Sequence, residues 1–154
     1  MRHLKNLVSL LALAMAAVAL SATSAHAQDS KVVKVIGNGT ATVLHAGATS
    51  PVAEGMQVAS ADEITTGAGV EVYLQAYDGV IATIKEKSHI IVEKLSSSDH
   101  EALLNVKSGS MVSTLDPKKG ANYHNYGVRT PKGVAAARGT VYAITVNGVN
   151  YTIY

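Results

Sequence analysis

The chain has 154 residues, with 13 basic against 11 acidic, seven tyrosines and no phenylalanine, tryptophan or cysteine. That length suits one domain, and without cysteine no disulfide can contribute, so burial and hydrogen bonding must carry stability. Setting aside Arg2 and Lys5, which belong to the N-terminal segment, 11 basic residues balance 11 acidic ones, which argues against a nucleic-acid face or a polybasic membrane patch.

Residues 1–27 have the layout of a secretory signal peptide. Arg2 and Lys5 form a positive start, residues 7–20 an apolar run, and Ala25-His26-Ala27 an A-x-A cleavage pattern. The run is short of the roughly 20 residues that span a bilayer. Cleavage after Ala27 would leave residues 28–154 as the mature domain, with no integral membrane segment. The expected location is the bacterial periplasm or the exterior, by a Sec-type route.

The mature part reads as all-β. Val, Thr and Tyr are frequent and glycines punctuate the chain at short spacing. Residues 31–36 and 40–44 read as strands, stopped by Gly37-Asn38-Gly39 and by His45-Ala46-Gly47. Residues 48–61 look irregular, broken by Pro51 and Gly55. Residues 62–66 form a short strand before Gly67-Ala68-Gly69. In residues 70–76, Val70, Val72, Leu74 and Ala76 share one face and Glu71, Tyr73 and Gln75 the other, the period of a half-buried strand. Asp78-Gly79 supplies a hairpin turn into residues 80–84.

Residues 88–95 form the next strand, closed by the loop Ser96-Ser97-Ser98-Asp99-His100. Residues 101–107 are read as a strand, with Ser108-Gly109 as a hairpin turn into residues 110–115. A polar loop at 116–122 leads to a strand over 123–130, a Thr-Pro turn, a strand over 140–146, an Asn147-Gly148 hairpin and a last strand at 149–154. About ten short strands at this cadence predict a compact antiparallel β-rich sandwich or a twisted β-solenoid-like domain, its core built from Val, Ile, Leu and Ala.

Residues 126–146 hold the most unusual residue pattern. Pro131 fixes φ and pushes Thr130 extended, Gly133 permits a positive φ, and Ala135, Ala136 and Ala137 leave room for close approach. Arg138, between Ala137 and Gly139, reads as an internal staple, because a planar five-donor group can tie several segments together.

These residues resemble the FecR domain family, whose mark is a Thr-Pro-x-Gly-Val turn followed by Arg-Gly-Thr and an alternating strand. Here they are Thr130, Pro131, Gly133 and Val134, then Arg138, Gly139 and Thr140, then Val141 to Ile144. Upstream, Gly55 with Val58, Asp62-Glu63-Ile64-Thr65-Thr66-Gly67, the strand before Asp78-Gly79, and Leu103 to Gly109 follow the family's motifs in order. The resemblance implies an all-β extracytoplasmic domain. The best-known members are membrane-anchored regulators whose cytoplasmic segment holds an extracytoplasmic-function sigma factor. That segment is not matched here, so sigma-factor control is not among the expectations.

No catalytic set stands out, and neither a cofactor nor a metal is expected. His45, His89, His100 and His124 lack metal-ligand spacing. Ser96, Ser97 and Ser98 beside Asp99 and His100 could imitate a hydrolytic triad, but no G-x-S-x-G elbow is present. Glu54, Asp62 and Glu63 could serve a glycosidase only at a defined separation. The chain ends on Tyr154, as small outer-membrane barrels often end on an aromatic residue, yet Thr152, Asn150 and Gly148 give no lipid-facing alternation. Lys118, Lys119, Arg129 and Lys132 form a modest basic group, a possible interaction surface. The leading expectation is a non-enzymatic envelope module that binds a protein or glycan through a loop or an edge strand, residues 149–154 foremost. A sensor component acting with a separate membrane regulator and a carbohydrate-active enzyme are the alternatives. The sequence sets no oligomeric state.

Overall fold

The computed structural model describes residues 30–119, 125–136, 141–147 and 150–153. Its strands are β1 (Lys31–Gly37), β2 (Ala41–His45), β3 (Ala48–Pro51), β4 (Glu63–Thr66), β5 (Val70–Tyr77), β6 (Val80–Ile84), β7 (His89–Ser96), β8 (Glu101–Leu115), β9 (Tyr126–Thr130), β10 (Gly133–Ala136), β11 (Val141–Asn147) and β12 (Asn150–Ile153). The all-β expectation holds, and among the described residues no helix is long and apolar enough to cross a membrane. The expected signal segment lies outside the described residues.

The fifteen-residue strand β8 holds the molecule together. Its C-terminal half pairs with β6 and β11, giving a layer in the order β1-β5-β6-β8-β11-β12. Its N-terminal half pairs with β7 and β9, giving a second layer, β3-β2-β4-β7-β8-β9-β10. The two layers are thus one curled sheet continuous through β8. Every pairing is antiparallel except β8 with β9.

Two features let one strand serve both layers. Ala102, Leu104 and Val106 are buried in the first half, but Met111, Ser113 and Leu115 in the second, so the inward phase changes from even to odd residues. The β7–β8 register slips between His89 and Ile90 at that point, and Gly109 sits at φ 84°. A bulge with a left-handed glycine bends and twists a strand. The hairpin expected at Ser108-Gly109 is therefore absent: the same turn chemistry serves a bend inside a continuous strand.

Hydroxyls clasp this bend. Ser88 Oγ donates to Ser110 O (3.1 Å) and accepts from Ser110 N (2.9 Å). Thr66 Oγ1 donates to Lys85 O (2.6 Å) and accepts from Ser88 N (3.0 Å). The residues 62–67 read from the sequence as a motif thus have divided tasks: Asp62 closes a turn with Ala59, Ile64 enters the core, and Thr66 ties the β6–β7 turn to the layer crossing.

The core lies between the layers. Val72, Leu74, Ala76, Val80, Ala82 and Ile84 face Ile64, Ile90, Val92, Leu104, Val106 and Val128 across it. Val70, Val72, Leu74 and Ala76 are all buried, and Glu71, Tyr73 and Gln75 less so, as the period-2 pattern requires. The expectation of a core without aromatics fails, because Tyr77 and Tyr126 are among its largest fully buried side chains. Tyr126 can be buried because its hydroxyl meets Ser113 Oγ at 2.8 Å, which offsets the cost of removing a phenol from water.

Two strands have no counterpart in the sequence reading. β3 falls within the stretch expected to be irregular. It is an edge strand of small and polar residues, all exposed, with Pro51 at its end, where a missing donor costs no ladder bond. β10 follows the Thr-Pro turn directly and pairs with β9.

Candidate binding cleft beside the Thr-Pro-Lys-Gly turn

β9 and β10 are joined by a two-residue turn, with Thr130 opposite Gly133. Pro131 fixes a negative φ, and Lys132 is not among the residues with positive φ, so this is not one of the primed turns that usually close two-residue hairpins. Thr130 holds it instead. Its Oγ1 donates to Gly133 O (3.2 Å) and accepts from Lys132 N (3.4 Å). Gly133 has φ 159°, near full extension, and an added Cβ there would meet nothing within 4 Å.

The turn borders a cleft of about 450 Å³ lined by Glu93, Asn105, Lys107, Arg129, Thr130, Pro131, Gly133 and Val134. The register explains the grouping: Asn105 on β8 stands opposite Arg129 on β9, which stands opposite Val134 on β10. Glu93 joins the row through a bulge in β7, where the register slips between Val92 and Lys94. Both of its oxygens are engaged. Asn105 Nδ2 donates to Oε1 (2.6 Å) and Arg129 Nε pairs with Oε2 (3.0 Å). That contact orients the guanidinium through its Nε, and Arg129 makes no other ion pair among the described residues. Lys107 and Lys132 take part in no ion pair among the described residues. Val134 is 58% exposed, one of few large apolar side chains on the surface.

The sequence-predicted residues divide in space. Thr130, Pro131, Gly133 and Arg129 come together at this cleft, and Lys132 lies exposed in the turn between Pro131 and Gly133 beside it. Lys118 and Lys119 lie in the 3-10 turn Pro117–Lys119, beyond the C-terminal end of β8, whereas Arg129 stands beside Asn105 in its N-terminal half. Arg138, Gly139 and Thr140, and with them the staple reading, lie outside the described residues, as does His124. Among the described residues β12 pairs with β11 alone, which puts residues 150–153 at an edge. Glu93 and Asn105 are not among the site residues read from the sequence, and Val134 enters there only through the family motif. One signal was available for Glu93: Ile90 and Val92 are followed by an inward Leu95, a break of alternation that marks a bulge.

Other polar groups are absorbed by internal contacts. Asp62, its side chain only 3% exposed, meets His45 Nδ1 at 2.6 Å and accepts Ala59 N–H at 2.9 Å. His89 Nε2 meets Glu63 Oε2 at 2.9 Å, and Glu54 accepts Val35 N–H at 3.1 Å. Ser96 Oγ donates to Asp99 (2.6 Å), while His100 turns its ring edge-on to Tyr77, centroids 5.5 Å apart, so serine, histidine and aspartate do not form a relay. Near the β8 bend a cleft of about 500 Å³ is lined by Glu71, Lys85, Glu86 and Lys87, but Lys85 pairs with Glu71 (2.8 Å) and Glu86 accepts Gly69 N–H (2.7 Å). The Lys85 hydrogen bond, with help from Tyr73, holds the Glu71 carboxyl below its usual range against the opposing effect of burial. No group of three or more His, Cys, Asp or Glu among the described residues could hold a metal ion.

Compared with known proteins, residues 62–153, well over half of the chain, match a family model described as "FecR protein". No curated protein and no solved structure matches the chain.

Proposed function

The chain belongs to the FecR family, and on that premise we propose that it is a non-catalytic binding module of the bacterial cell envelope. FecR domains are linked to sensing and signalling modules and are typically non-catalytic. In this reading residues 1–27 direct export, residues 28–154 fold outside the cytoplasm, and the cleft beside the Thr-Pro-Lys-Gly turn engages an envelope protein or glycan. The supporting observation is the contrast in pairing. Asp62, Glu71 and Glu63 pair with His45, Lys85 and His89, whereas this cleft presents Lys107 and Arg129, with Lys132 in the turn beside it, around a Glu93 carboxylate already engaged at both oxygens.

The family's link to signalling favours a second reading, in which occupancy of the same cleft is passed to a separate membrane regulator. A carbohydrate-active enzyme has no such support, since Glu54, Asp62 and Glu63 each hold a structural contact.

The test is capture from envelope fractions by the tagged full chain, compared with a variant carrying Arg129→Glu and Lys132→Glu. Partners retained by the wild type and lost by the variant support the cleft. Capture that is equal in both rejects it. Co-capture of a membrane regulator selects the second reading. Mass measurement of the exported product should find an N-terminus at Gln28, and an intact N-terminus after export would contradict the signal-peptide assignment.

A further inference from the structure

We propose that the cleft and strand β10 take an acidic, extended peptide segment, added as a further strand to the second layer. This rests on the reading of the cleft as the interaction surface and names the class of its occupant.

β10 hydrogen-bonds to β9 alone among the described residues. In an antiparallel pair, alternate residues turn their N–H and C=O groups away from the partner, so the outer side of β10 offers a ladder to a new strand. The side chains beside that ladder are specific. Val134, 58% exposed, stands opposite Arg129, and the same row continues inward to Asn105 and Glu93. An incoming strand would set one side chain against Val134. Side chains two positions either side of it would point to the same face, within reach of Lys132 and the Arg129 guanidinium. Charge selects acidic groups there. Lys107 and Arg129 line the cleft and Lys132 stands exposed in the turn beside it, against Glu93, whose two oxygens each already hold a contact, and guanidinium donors match a carboxylate in a bidentate fork.

The edges at β1 and β3 lack this combination. β1 is covered by residues 54–57, where Val32 N–H donates to Met56 O and Gly55 N–H to Val32 O, with a bridge from Lys31 to Gln57. β3 has an open edge but only Ala48, Thr49, Ser50 and Pro51 along it, with neither a charge nor an apolar anchor. A peptide fits β10 better than a glycan because the ladder of alternating donors and acceptors and the Val134 anchor are features that a polypeptide strand complements and a sugar chain does not.

The experiment uses the full chain and an array of short strand-forming peptides in which Val, Ile and Thr alternate with Asp and Glu, read by fluorescence anisotropy. A matched array replaces Asp and Glu by Asn and Gln, and another carries N-methyl groups on alternate amides in each of the two phases. The expected result is binding that weakens at least about tenfold with the amide array, with added salt, and in Lys132→Gln and Arg129→Gln. One N-methyl phase should abolish binding and the other leave it intact. Lys132 is exposed in the turn and Arg129 is half exposed, so both variants should fold, as circular dichroism would check. Equal binding of both N-methyl phases overturns strand addition, and equal binding of the amide array overturns the acidic preference. Binding of an anionic polysaccharide such as polygalacturonate with no peptide binding overturns the inference while leaving the cleft as the interaction surface. No peptide binding, together with envelope capture that ignores Arg129 and Lys132, rejects both.

Discussion

At the scale of single residues, the informative cases are polar groups placed where water is absent. Among the described residues Asp62 is the most deeply buried carboxylate, and one of its partners, His45, is 61% exposed. The two ends of that contact should therefore differ in cost. Asp62→Ala leaves the Ala59 N–H without its acceptor and opens the turn, for a loss of about 1–3 kcal/mol. His45→Ala removes a ring that water can replace, for less than about 1 kcal/mol. Urea titration of both variants checks the order, and equal losses would mean that the imidazole, not the turn, is what Asp62 stabilises.

Tyr77 makes a second prediction. Burial pushes its phenol up from 10.0 to about 12. The folded state therefore holds this proton more tightly than the unfolded chain does. The resulting stability is whole below about pH 10 and is lost as pH rises through about 12, with a limiting slope of about 1.4 kcal/mol per pH unit. Stability measured between pH 9 and 11.5 should decline less steeply in Tyr77→Phe than in the wild type. Parallel declines would show that the phenol is not the group responsible. Neither residue was legible beforehand. Composition counts tyrosines but does not say which are buried, and the Asp62–His45 contact joins residues 17 apart that only the β2–β4 pairing brings together.

At the scale of elements, the sequence was readable wherever one strand has one wet face and one dry face. β5 has that form, and its pattern and its tight turn into β6 follow from it. β8 does not. Its two halves point opposite phases inward, and Ser108-Gly109 carries the same residue types as a hairpin turn, so local chemistry alone could not separate a bend from a reversal. β3 and β10 are short edges of small residues, with too little apolar alternation to register as strands. The Thr-Pro-Lys-Gly turn was legible as a turn, but the cleft beside it needed Glu93 and Asn105 from β7 and β8. These residues are remote in sequence from Arg129 and meet it only through the parallel β8–β9 register.

Gly109 tests the bend. It sits at φ 84°, and an added Cβ would come within 2.5 Å of Ser88 Cα. Gly109→Ala combines left-handed strain of about 1–2 kcal/mol with overpacking against backbone of about 1–3 kcal/mol, so a loss of about 2–5 kcal/mol is expected in urea titration. A loss below about 1 kcal/mol would mean that β8 crosses between the layers without needing a glycine.

At the scale of the whole molecule, sharing β8 makes the layers interdependent. Each contains a half of the same strand, and the core residues of each pack against the other. Thermal unfolding followed by far-ultraviolet dichroism and by tyrosine near-ultraviolet signal should therefore coincide in one transition, and Gly109→Ala should shift both midpoints together. Separate transitions would show two layers that fold apart. The arrangement also sets the geometry of function. The cleft lies beside β10, at the end of the second layer, whereas Lys118 and Lys119 follow the other end of β8. One basic group in sequence is therefore two surfaces in space.

That separation permits the most direct test of the proposed interaction surface. The affinity of the full chain for its captured envelope partner should be measured in two charge-reversed variants, Arg129→Glu with Lys132→Glu and Lys118→Glu with Lys119→Glu. A loss of at least about tenfold is expected in the first and little change in the second. An unchanged affinity in the first, or a larger loss in the second, would contradict the proposed surface.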